Sequence, residues 1–451
     1  MTLPHDAAAQ ESLRLLGYDT ANLIAPLDET THDVAIVGGG QSGVAIAYAL
    51  RRAGVTNVTV IDAEEDESAL AWRARARMRT LRTPKTVSGP ELGNPALTFS
   101  AWYDGVRGAG AFDAIDRIAT SDWADYLTWF QRQVDVSVRR GVRVTDIKPA
   151  GAGRLRLHLA SAEKEWTEDA RKIVLATGVS GTGTPNIPHI LSTLPRQLYA
   201  HTADAIDFSA LRGRNVAVLG AASSAFDAAA TALESGAAEV HVYSRRPELV
   251  VAPPTGARPN PLVQDVFHLA DDSERWRQNV AKRASVPPES VERAAAFPNY
   301  HLHIAAEWTS ASERNRQVVV AADGTRSFDF VIAGTGYQQD PATRPELATI
   351  APFVARWSDV YTPAEGLASK LLGSAPYLGS GYEFTEKIPG TAPWLADLHV
   401  FSIGAGNSFG RPVGDIPSLR IGVPRLADAI ARDLVLADLH RARSVPAGAE
   451  R

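Results

Sequence analysis

Two short segments of the chain have the composition of a dinucleotide-binding turn. The first, VAIVGGGQSG, runs from Val34 to Gly43, and the second, VAVLGAASSA, runs from Val216 to Ala225. In each segment an apolar strand leads through small residues into an apolar helix, which points the backbone N–H groups of a helix N-terminus at a pyrophosphate. Two such units in one chain predict two bound dinucleotides and electron transfer between them.

The first unit carries the complete glycine pattern. Gly38 permits the tight turn, Gly40 lets the backbone approach the pyrophosphate, and Gly43 lets the helix pack against the strand. Asp62 ends the next apolar strand, 19 residues after Gly43, where a carboxylate accepts hydrogen bonds from a ribose. A plain strand–helix–strand unit with a glycine loop is the less favoured alternative.

The second unit keeps only part of this pattern. Gly220 is present, but Ala222 and Ala225 stand at the second and third glycine positions. Alanine is accepted at the third position, whereas at the second its methyl group keeps a phosphate further away. A vestigial or merely structural second unit therefore stays open as an alternative.

The residue after the second strand distinguishes the two units chemically. Asp62 lies 24 residues after Gly38, and Ser244 lies 24 residues after Gly220. Ser244 is followed by two arginines, in the sequence SRR. A hydroxyl group and guanidinium groups suit a 2′-phosphate, and no carboxylate is present there to repel it. This pattern predicts NADPH rather than NADH at the second unit.

Composition excludes several classes of protein. The chain has 451 residues, a formal net charge of −5 and no cysteine, which excludes disulfide scaffolds, cysteine-ligated metals, thiol nucleophiles and redox-active cysteine pairs. The charge gives no reason to expect nucleic acid or a membrane as a partner, and the first residues do not resemble a signal peptide, so we expect a cytoplasmic protein. We expect no metal site, and His301 and His303 are interpreted as one face of a strand.

Residues 71–85 form a strongly basic run, AWRARARMRTLRTPK. It is interpreted either as a solvated face or as a positive wall for phosphates or an anionic substrate. Arg79, Arg82 and, further along the chain, Arg411 are candidates for holding an anion, with an ordinary surface or phosphate contact as the alternative.

The order of these motifs resembles that of the class B flavoprotein monooxygenases, which include flavin-containing monooxygenases, Baeyer–Villiger monooxygenases and amine N-hydroxylases. The resemblance rests on GGGQSG, Asp62, the ATG ending at Gly178, the second turn with its SRR, and a GTGY ending at Tyr337, and it spans about residues 33–435. It implies FAD on the first unit and NADPH on the second. It also implies that NADPH reduces the flavin, that O₂ adds at flavin C4a, and that one oxygen atom passes to a small-molecule substrate.

Single residues extend the resemblance unevenly. Trp72 resembles the tryptophan that leads into the flavin-facing loop, and Thr83 stands near the place of an asparagine that precedes a proline and a lysine. His201-Thr202 resembles the His-Ser of a linker fingerprint, but Pro195 and Gln197 stand where that fingerprint has Phe and Gly. The sequence therefore leaves open N- or S-oxidation, Baeyer–Villiger oxidation, an NADPH-dependent flavin reductase, and a non-catalytic FAD-binding protein. A homodimer also stays open.

The predicted fold is α/β, with two Rossmann-like dinucleotide-binding domains and the NADPH domain inserted into the FAD domain. ATG at 176–178 and GTG at 334–336 are interpreted as the chain crossings between them. The expected parts are an N-terminal strap at 1–30, the first part of the FAD domain at 31–200, the NADPH domain at 201–333 with a helical insertion at 250–300, and the second part of the FAD domain at 334–451.

The candidate site residues follow from these motifs and from the resemblance. The catalytic candidates are Thr83, His201 and Arg411. The expected cofactor contacts are Gly38, Gly40, Gln41, Ser42, Gly43, Asp62, Trp72, Val144, Gly178, Gly220, Ser223, Ser224, Ser244, Arg245, Arg246, Gly336 and Ser418. A helix that begins near Ser418 is expected to direct its N-terminus at the flavin pyrimidine and to stabilise negative charge there.

Overall fold

The computed structural model describes residues 4–18, 20–252 and 265–444. Its strands are β1 (His32–Val37), β2 (Val58–Ile61), β3 (Val138–Arg139), β4 (Arg143–Gly151), β5 (Arg154–Ala160), β6 (Glu165–Leu175), β7 (Tyr199–His201), β8 (Asn215–Leu219), β9 (Glu239–Tyr243), β10 (Tyr300–His303), β11 (Ser310–Arg314), β12 (Gln317–Ala321), β13 (Thr325–Phe328), β14 (Phe330–Ala333) and β15 (Leu398–Val400). Its α-helices are α1 (Pro4–Leu15), α2 (Gln41–Arg52), α3 (Ala71–Ala74), α4 (Phe99–Arg107), α5 (Ala111–Ala114), α6 (Thr120–Gln133), α7 (His189–Ser192), α8 (Ser223–Glu234), α9 (Asp272–Ala281), α10 (Pro288–Ala295), α11 (Trp357–Val360), α12 (Lys370–Gly373), α13 (Gly406–Phe409) and α14 (Ile416–Ser444).

The first sheet has the order β3-β2-β1-β6-β5-β4, and β15 also pairs with β6. Strand β6 joins two kinds of pairing: its first half pairs antiparallel with β5, and its second half pairs parallel with β1 and β15. Ile173 and Val174 in that second half are fully buried, as expected for a parallel strand that is covered on both faces. The glycine turn after β1 therefore lies at the carboxyl edge of a parallel sheet, where dinucleotides bind.

The second sheet is entirely parallel, in the order β10-β9-β8-β14-β7. An antiparallel sheet of β11, β12 and β13 shares an apolar cluster with it, in which Trp308, Val318 and Phe328 lie with Tyr243 and Val331. The predicted α/β class with two Rossmann-like units is confirmed.

The two chain crossings run side by side between the sheets. The Thr182 Oγ1–H donates to the Gln339 carbonyl at 3.0 Å, and the Asn186 N–H donates to the Gly336 carbonyl at 2.9 Å. Strand β7 pairs with β14, so the second sheet includes two residues on the first-domain side of the predicted boundary at 200/201. The remaining domain limits stay predictions.

The N-terminal strap is a helix packed on the first domain. In α1, Ala9 and Leu13 are buried in an aromatic cluster that includes Trp102 and Trp129, and the Trp129 Nε1–H donates to Asp6 at 2.7 Å. Of the predicted insertion at 250–300, residues 253–264 lie outside the described residues, and α9 and α10 account for its helical part. Within the described ranges, no helix is long and apolar enough to cross a membrane.

Candidate functional site

The first glycine turn is shaped by close backbone contacts. Gly38 has φ +115°, and a Cβ there would lie 2.3 Å from the Ala176 carbonyl oxygen; a Cβ at Gly43 would lie 1.8 Å from the Gly38 carbonyl oxygen. Neither position accepts a side chain. By contrast, a Cβ at the exposed Gly40 would meet nothing within 4 Å. This open space lies before the N-terminus of α2, where the predicted pyrophosphate site has its room.

Asp62 closes the other side of this turn. Its carboxylate follows β2 and accepts hydrogen bonds from the Gly39 N–H at 2.7 Å and the Glu64 N–H at 2.9 Å. The residue is only partly buried, so the carboxylate retains lone pairs for further donors such as ribose hydroxyl groups.

Gln41 connects three separate parts of the first domain. Its Oε1 accepts hydrogen bonds from the indole N–H of Trp72 at 3.1 Å and of Trp123 at 3.2 Å. Its Nε2 donates to the Gly414 carbonyl at 2.7 Å, and the neighbouring Ser42 is buried. The structure thus joins the glycine turn, the loop after β2 and the loop before α14, although these segments lie far apart in sequence.

Ser418 lies in the first turn of α14, which begins at Ile416. Its hydroxyl group accepts a hydrogen bond from the Gly414 N–H at 2.9 Å, and its own N–H donates to the Asp415 carboxylate at 2.9 Å. Burial raises the pKa of Asp415. The helix therefore begins at the loop that Gln41 holds, and its N-terminal dipole is directed toward the same region as the glycine turn.

A narrow cavity lies beside this helix start. It brings together two predicted residues, Arg411 and Ser418, with residues that the sequence did not indicate; these are Asp265, Tyr382, Phe409, Val413, Ile421, Gly422 and Arg425. No sequence signal marks the added residues, since they come from four separate segments.

The cavity combines aromatic faces with charged groups. The rings of Tyr382 and Phe409 stack with centroids 3.9 Å apart, and the Arg425 guanidinium lies 5.8 Å from the Phe409 ring. The Arg411 Nη1 lies 3.6 Å from Asp265 Oδ1, while the buried Asp265 Oδ2 has no hydrogen-bond partner. Burial raises the pKa of Tyr382 to about 12, so its hydroxyl group stays protonated. Such a cavity suits a flat ligand that carries negative charge and N–H donors.

The second turn repeats the backbone of the first. Gly220 has φ +116°, and a Cβ there would lie 2.3 Å from the Gly334 carbonyl oxygen. Ala222 has an extended backbone, as Gly40 does. Ala225 is fully buried and faces Gly334, where a Cβ would lie 2.5 Å from the Ala225 methyl group. The alanine at the third glycine position is therefore accommodated by a glycine on the opposite strand end.

Helix α8 begins directly after this turn, so its first N–H groups are available at the second site. The Ser223 hydroxyl group donates to the Ser285 carbonyl at 3.1 Å, and Ser224 is exposed. The N-terminus of α8 is thereby tied to the segment between α9 and α10.

The SRR segment has one buried and two exposed members. Ser244 is buried, and its hydroxyl oxygen accepts the Arg246 N–H at 3.2 Å, so it shapes the turn. Arg245 and Arg246 are exposed, and the Arg246 Nη1 donates to the Ala284 carbonyl at 3.1 Å. The two guanidinium groups are free to meet an anion from solvent, whereas the Ser244 hydroxyl group is largely committed to the protein.

The other predicted residues lie at several places. His201 is buried at the end of β7 with its ring edge-on to Tyr337 at 5.3 Å, and burial lowers its pKa, so the ring is neutral near pH 7. Val144 packs in the core of the first domain. Gly178 and Gly336 have φ +60° and +74° at the crossings.

Thr83 is partly buried and follows Arg82, which pairs with the second domain. Neither Thr83 nor His201 lines the cavity beside Ser418, whereas Arg411 does.

The basic run joins the two domains. Arg82 pairs with the buried Asp227 on α8, Arg79 pairs with Glu234 at 2.7 Å, and the Arg77 Nη1 donates to the Thr202 carbonyl at 2.6 Å. The hypotheses of an anion-binding wall and of a solvated face are both wrong for Arg79 and Arg82, because their guanidinium groups contact carboxylates of the second domain.

Comparisons with known proteins agree with this architecture. Residues 35–258 match the family described as pyridine nucleotide-disulphide oxidoreductase. The FAD-dependent urate hydroxylase of Xanthomonas campestris pv. campestris is 38% identical over 413 residues, which cover 90% of this chain and 87% of the relative.

Solved structures share the fold. The reduced ornithine hydroxylase of Pseudomonas aeruginosa superposes with a TM-score of 0.69 at 18% identity, covering 90% of this chain and 100% of its own. The ornithine N-hydroxylase of Kutzneria sp. 744, solved with reduced FAD, NADP⁺ and L-ornithine, gives a TM-score of 0.65 at 19% identity and covers 89% of this chain and 99% of its own.

Proposed function

Because the chain belongs to the FAD-dependent hydroxylases of the class B flavoprotein monooxygenase group, we propose that it uses NADPH and O₂ to hydroxylate urate or a closely similar flat, anionic purine. The predicted monooxygenase resemblance and the predicted FAD are confirmed by this membership. The substrate, the NADPH contacts and the roles of single residues are the proposal.

The residues of the first unit fit FAD. The space in front of Gly40, the N-terminus of α2 and the partly exposed Asp62 carboxylate provide a pyrophosphate and ribose site. Bound FAD, once reduced, supplies the oxygen-activating chemistry. The role of Gln41 is to hold the turn against the Gly414 loop, which places the start of α14 and Ser418 near the flavin end of the site.

The second unit is proposed to hold NADPH. The N-terminus of α8 supports the pyrophosphate, and the exposed Arg245 and Arg246 bind the 2′-phosphate. Ser244 acts on this contact indirectly, because its hydroxyl group fixes the turn that carries the arginines.

The cavity beside Ser418 is the observation that carries the substrate proposal. Arg411 and Arg425 provide positive charge for an anion, and the Tyr382 and Phe409 rings provide apolar faces for a flat ring. The unpartnered Asp265 Oδ2 can accept an N–H of the heterocycle. Urate offers all three features, since it is planar and anionic near neutral pH and carries several N–H groups.

The test is turnover of the purified, FAD-loaded protein with NADPH in air. We expect urate to accelerate NADPH oxidation and to be consumed in a one-to-one ratio with it, measured by chromatography and oxygen uptake. Arg425→Ala is expected to raise KM for urate by roughly 10- to 100-fold, the worth of a charge-assisted contact. The matched control is Arg432→Ala, which removes an exposed guanidinium from the same helix.

Two results would overturn the proposal. Oxidation of NADPH at one rate with and without urate, with rapid transfer of electrons to a dye, would indicate a flavin reductase. Equal effects of Arg425→Ala and Arg432→Ala on KM would place the substrate elsewhere. L-ornithine is the negative substrate control, and we expect it to leave the rate unchanged.

A further inference from the structure

A cluster of histidines and carboxylates lies on the second domain, outside the site described above. It sits on the face of β9 and β10 that the antiparallel sheet of β11, β12 and β13 also flanks. Its members are Glu239, His241, His301, His303 and Asp323. The sequence places them on three separate segments, and adjacent parallel pairing of β9 with β10 sets His301 opposite His241.

The hydrogen bonds of the cluster run in one direction. His303 Nδ1 lies 2.6 Å from an Asp323 carboxylate oxygen, which only accepts, so Nδ1 carries the proton. In the neutral ring, His303 Nε2 is then an acceptor, and it receives the His241 Nδ1–H over 2.9 Å. The carboxylate thus determines the tautomer of both rings, in the manner of the outer partners of metal-bound histidines.

This order leaves two acceptors facing each other. With its proton on Nδ1, His241 presents the Nε2 lone pair to a Glu239 carboxylate oxygen 3.2 Å away. Two lone pairs at that distance repel unless a cation lies between them. A proton satisfies two acceptors, but a third ligand atom is present, because a ring nitrogen of His301 lies within 4.8 Å of both other ligand atoms.

The spacing matches a tetrahedral metal. Bonds of about 2.0–2.1 Å that meet at a tetrahedral angle put neighbouring ligand atoms about 3.3 Å apart, close to the 3.2 Å between His241 Nε2 and Glu239. The His301 ring is partly exposed and stacks on His241 with centroids 4.3 Å apart, so rotation of that ring brings its nitrogen inward. The half-exposed Glu239 leaves a path from solvent.

The geometry points to a site for a borderline divalent cation of the Zn²⁺ class, with Glu239, His241 and His301 as ligands and a solvent-derived fourth ligand. Two imidazoles and one carboxylate favour Zn²⁺, Co²⁺ or Ni²⁺ over Mg²⁺ or Ca²⁺, which prefer oxygen. The His303–Asp323 pair orients His241 from behind and is a positioning element. A bound ion would join the edge strand β10 to β9 and stabilise the folded second domain.

The test is titration of the full-length, metal-stripped protein with Zn²⁺ against a competing chromophoric chelator, with Co²⁺ as a spectroscopic probe. We expect one tight Zn²⁺ per chain in the native protein. Glu239→Gln and His301→Gln are expected to weaken this binding by more than the roughly 10- to 100-fold that loss of an outer partner, as in Asp323→Asn, causes. His189→Gln is the control, because His189 is exposed and lies outside the cluster.

A second readout separates lost binding from lost folding. Zn²⁺ is expected to raise the Tm of the native protein and of His189→Gln but not that of Glu239→Gln, because a ligand stabilises only the state that binds it. In chelator the Tm of Glu239→Gln is expected to equal the native value. The inference is overturned if the native chain binds no Zn²⁺ at micromolar concentration, or if all variants bind it equally. Neither readout depends on FAD, NADPH or turnover.

Discussion

The two strand–turn–helix units reach the same backbone geometry with their small residues placed differently. In the first unit the helix carries Gly43 and the facing strand end carries Ala176; in the second the helix carries Ala225 and the strand end carries Gly334. Gly38 and Gly220 have φ values of +115° and +116°, and each faces a strand-end carbonyl at the same distance. A departure from the glycine pattern is thus compensated across the contact, and it gives no sign of a vestigial unit.

The units differ more clearly in what they leave open. The first has a glycine and empty space at the second glycine position and a carboxylate after its second strand. The second has an alanine there and two exposed guanidinium groups instead. The first arrangement suits a dinucleotide that stays bound, and the second suits a phosphorylated one that is exchanged at each turnover.

The largest expected effect comes from placing a methyl group in the first turn. Gly43→Ala puts a Cβ against the Gly38 carbonyl, which cannot move without opening the turn, so we expect loss of copurifying FAD and a fall in the free energy of unfolding of about 3 kcal/mol. Flavin absorbance per chain and urea unfolding measure both. The matched change, Ala225→Gly, is expected to keep FAD and cost about 1 kcal/mol. Equal flavin content in Gly43→Ala and the native protein would contradict the account.

The compensation in the second unit is tested by exchanging its two small residues. Gly334→Ala alone brings two methyl groups to 2.5 Å and is expected to lower the free energy of unfolding by about 2 kcal/mol. Adding Ala225→Gly recreates the first-unit combination and is expected to restore most of that loss, measured as a double-mutant cycle in urea. Simple additivity of the two changes would show that the residues do not compensate each other.

The basic run that joins the units is expected to contribute to stability. Arg82→Ala leaves the buried Asp227 without its guanidinium, although the Ser290 hydroxyl group still donates to it, so we expect a loss of about 2 kcal/mol with FAD retained. Arg79→Ala removes a largely exposed pair and is expected to cost less than about 0.5 kcal/mol. If Arg82→Ala instead left stability unchanged and weakened NADPH binding, the anion-wall hypothesis would be restored.

The cofactor preference of the second unit is expected to depend on its exposed arginines. The double change Arg245→Ala with Arg246→Ala is expected to raise KM for NADPH by roughly 10- to 100-fold while leaving KM for NADH nearly constant, because only the 2′-phosphate is affected. Steady-state kinetics with both nucleotides measure this. Arg283→Ala, another exposed guanidinium of the same domain, is the control, and a parallel rise of both KM values would point to general damage.

Features set by short-range spacing were predictable. The glycine turns, Asp62 and the SRR segment lie within a few dozen residues of each other, and their backbone roles follow from strand–turn–helix geometry. The cavity was only half predictable: Arg411 and Ser418 were indicated, but Asp265 and Arg425 meet them only through tertiary folding.

Contacts between distant segments were not predictable. Arg82 and Asp227 are 145 residues apart, and a basic run has no sequence feature that distinguishes a domain interface from a phosphate site. The Gly334 that accommodates Ala225 and the His301 that faces His241 are likewise determined by strand pairing between remote segments.

The central claim, a resident FAD on the first unit and an exchanging NADPH on the second, is tested most directly by anaerobic reduction of the purified protein. Flavin absorbance is followed after rapid mixing with increasing NADPH or NADH. We predict about one FAD per chain that survives dialysis, and bleaching that saturates at roughly tenfold or lower concentrations of NADPH than of NADH, the worth of one charge-assisted contact. A protein without flavin, or one reduced equally well by both nucleotides, would contradict the claim.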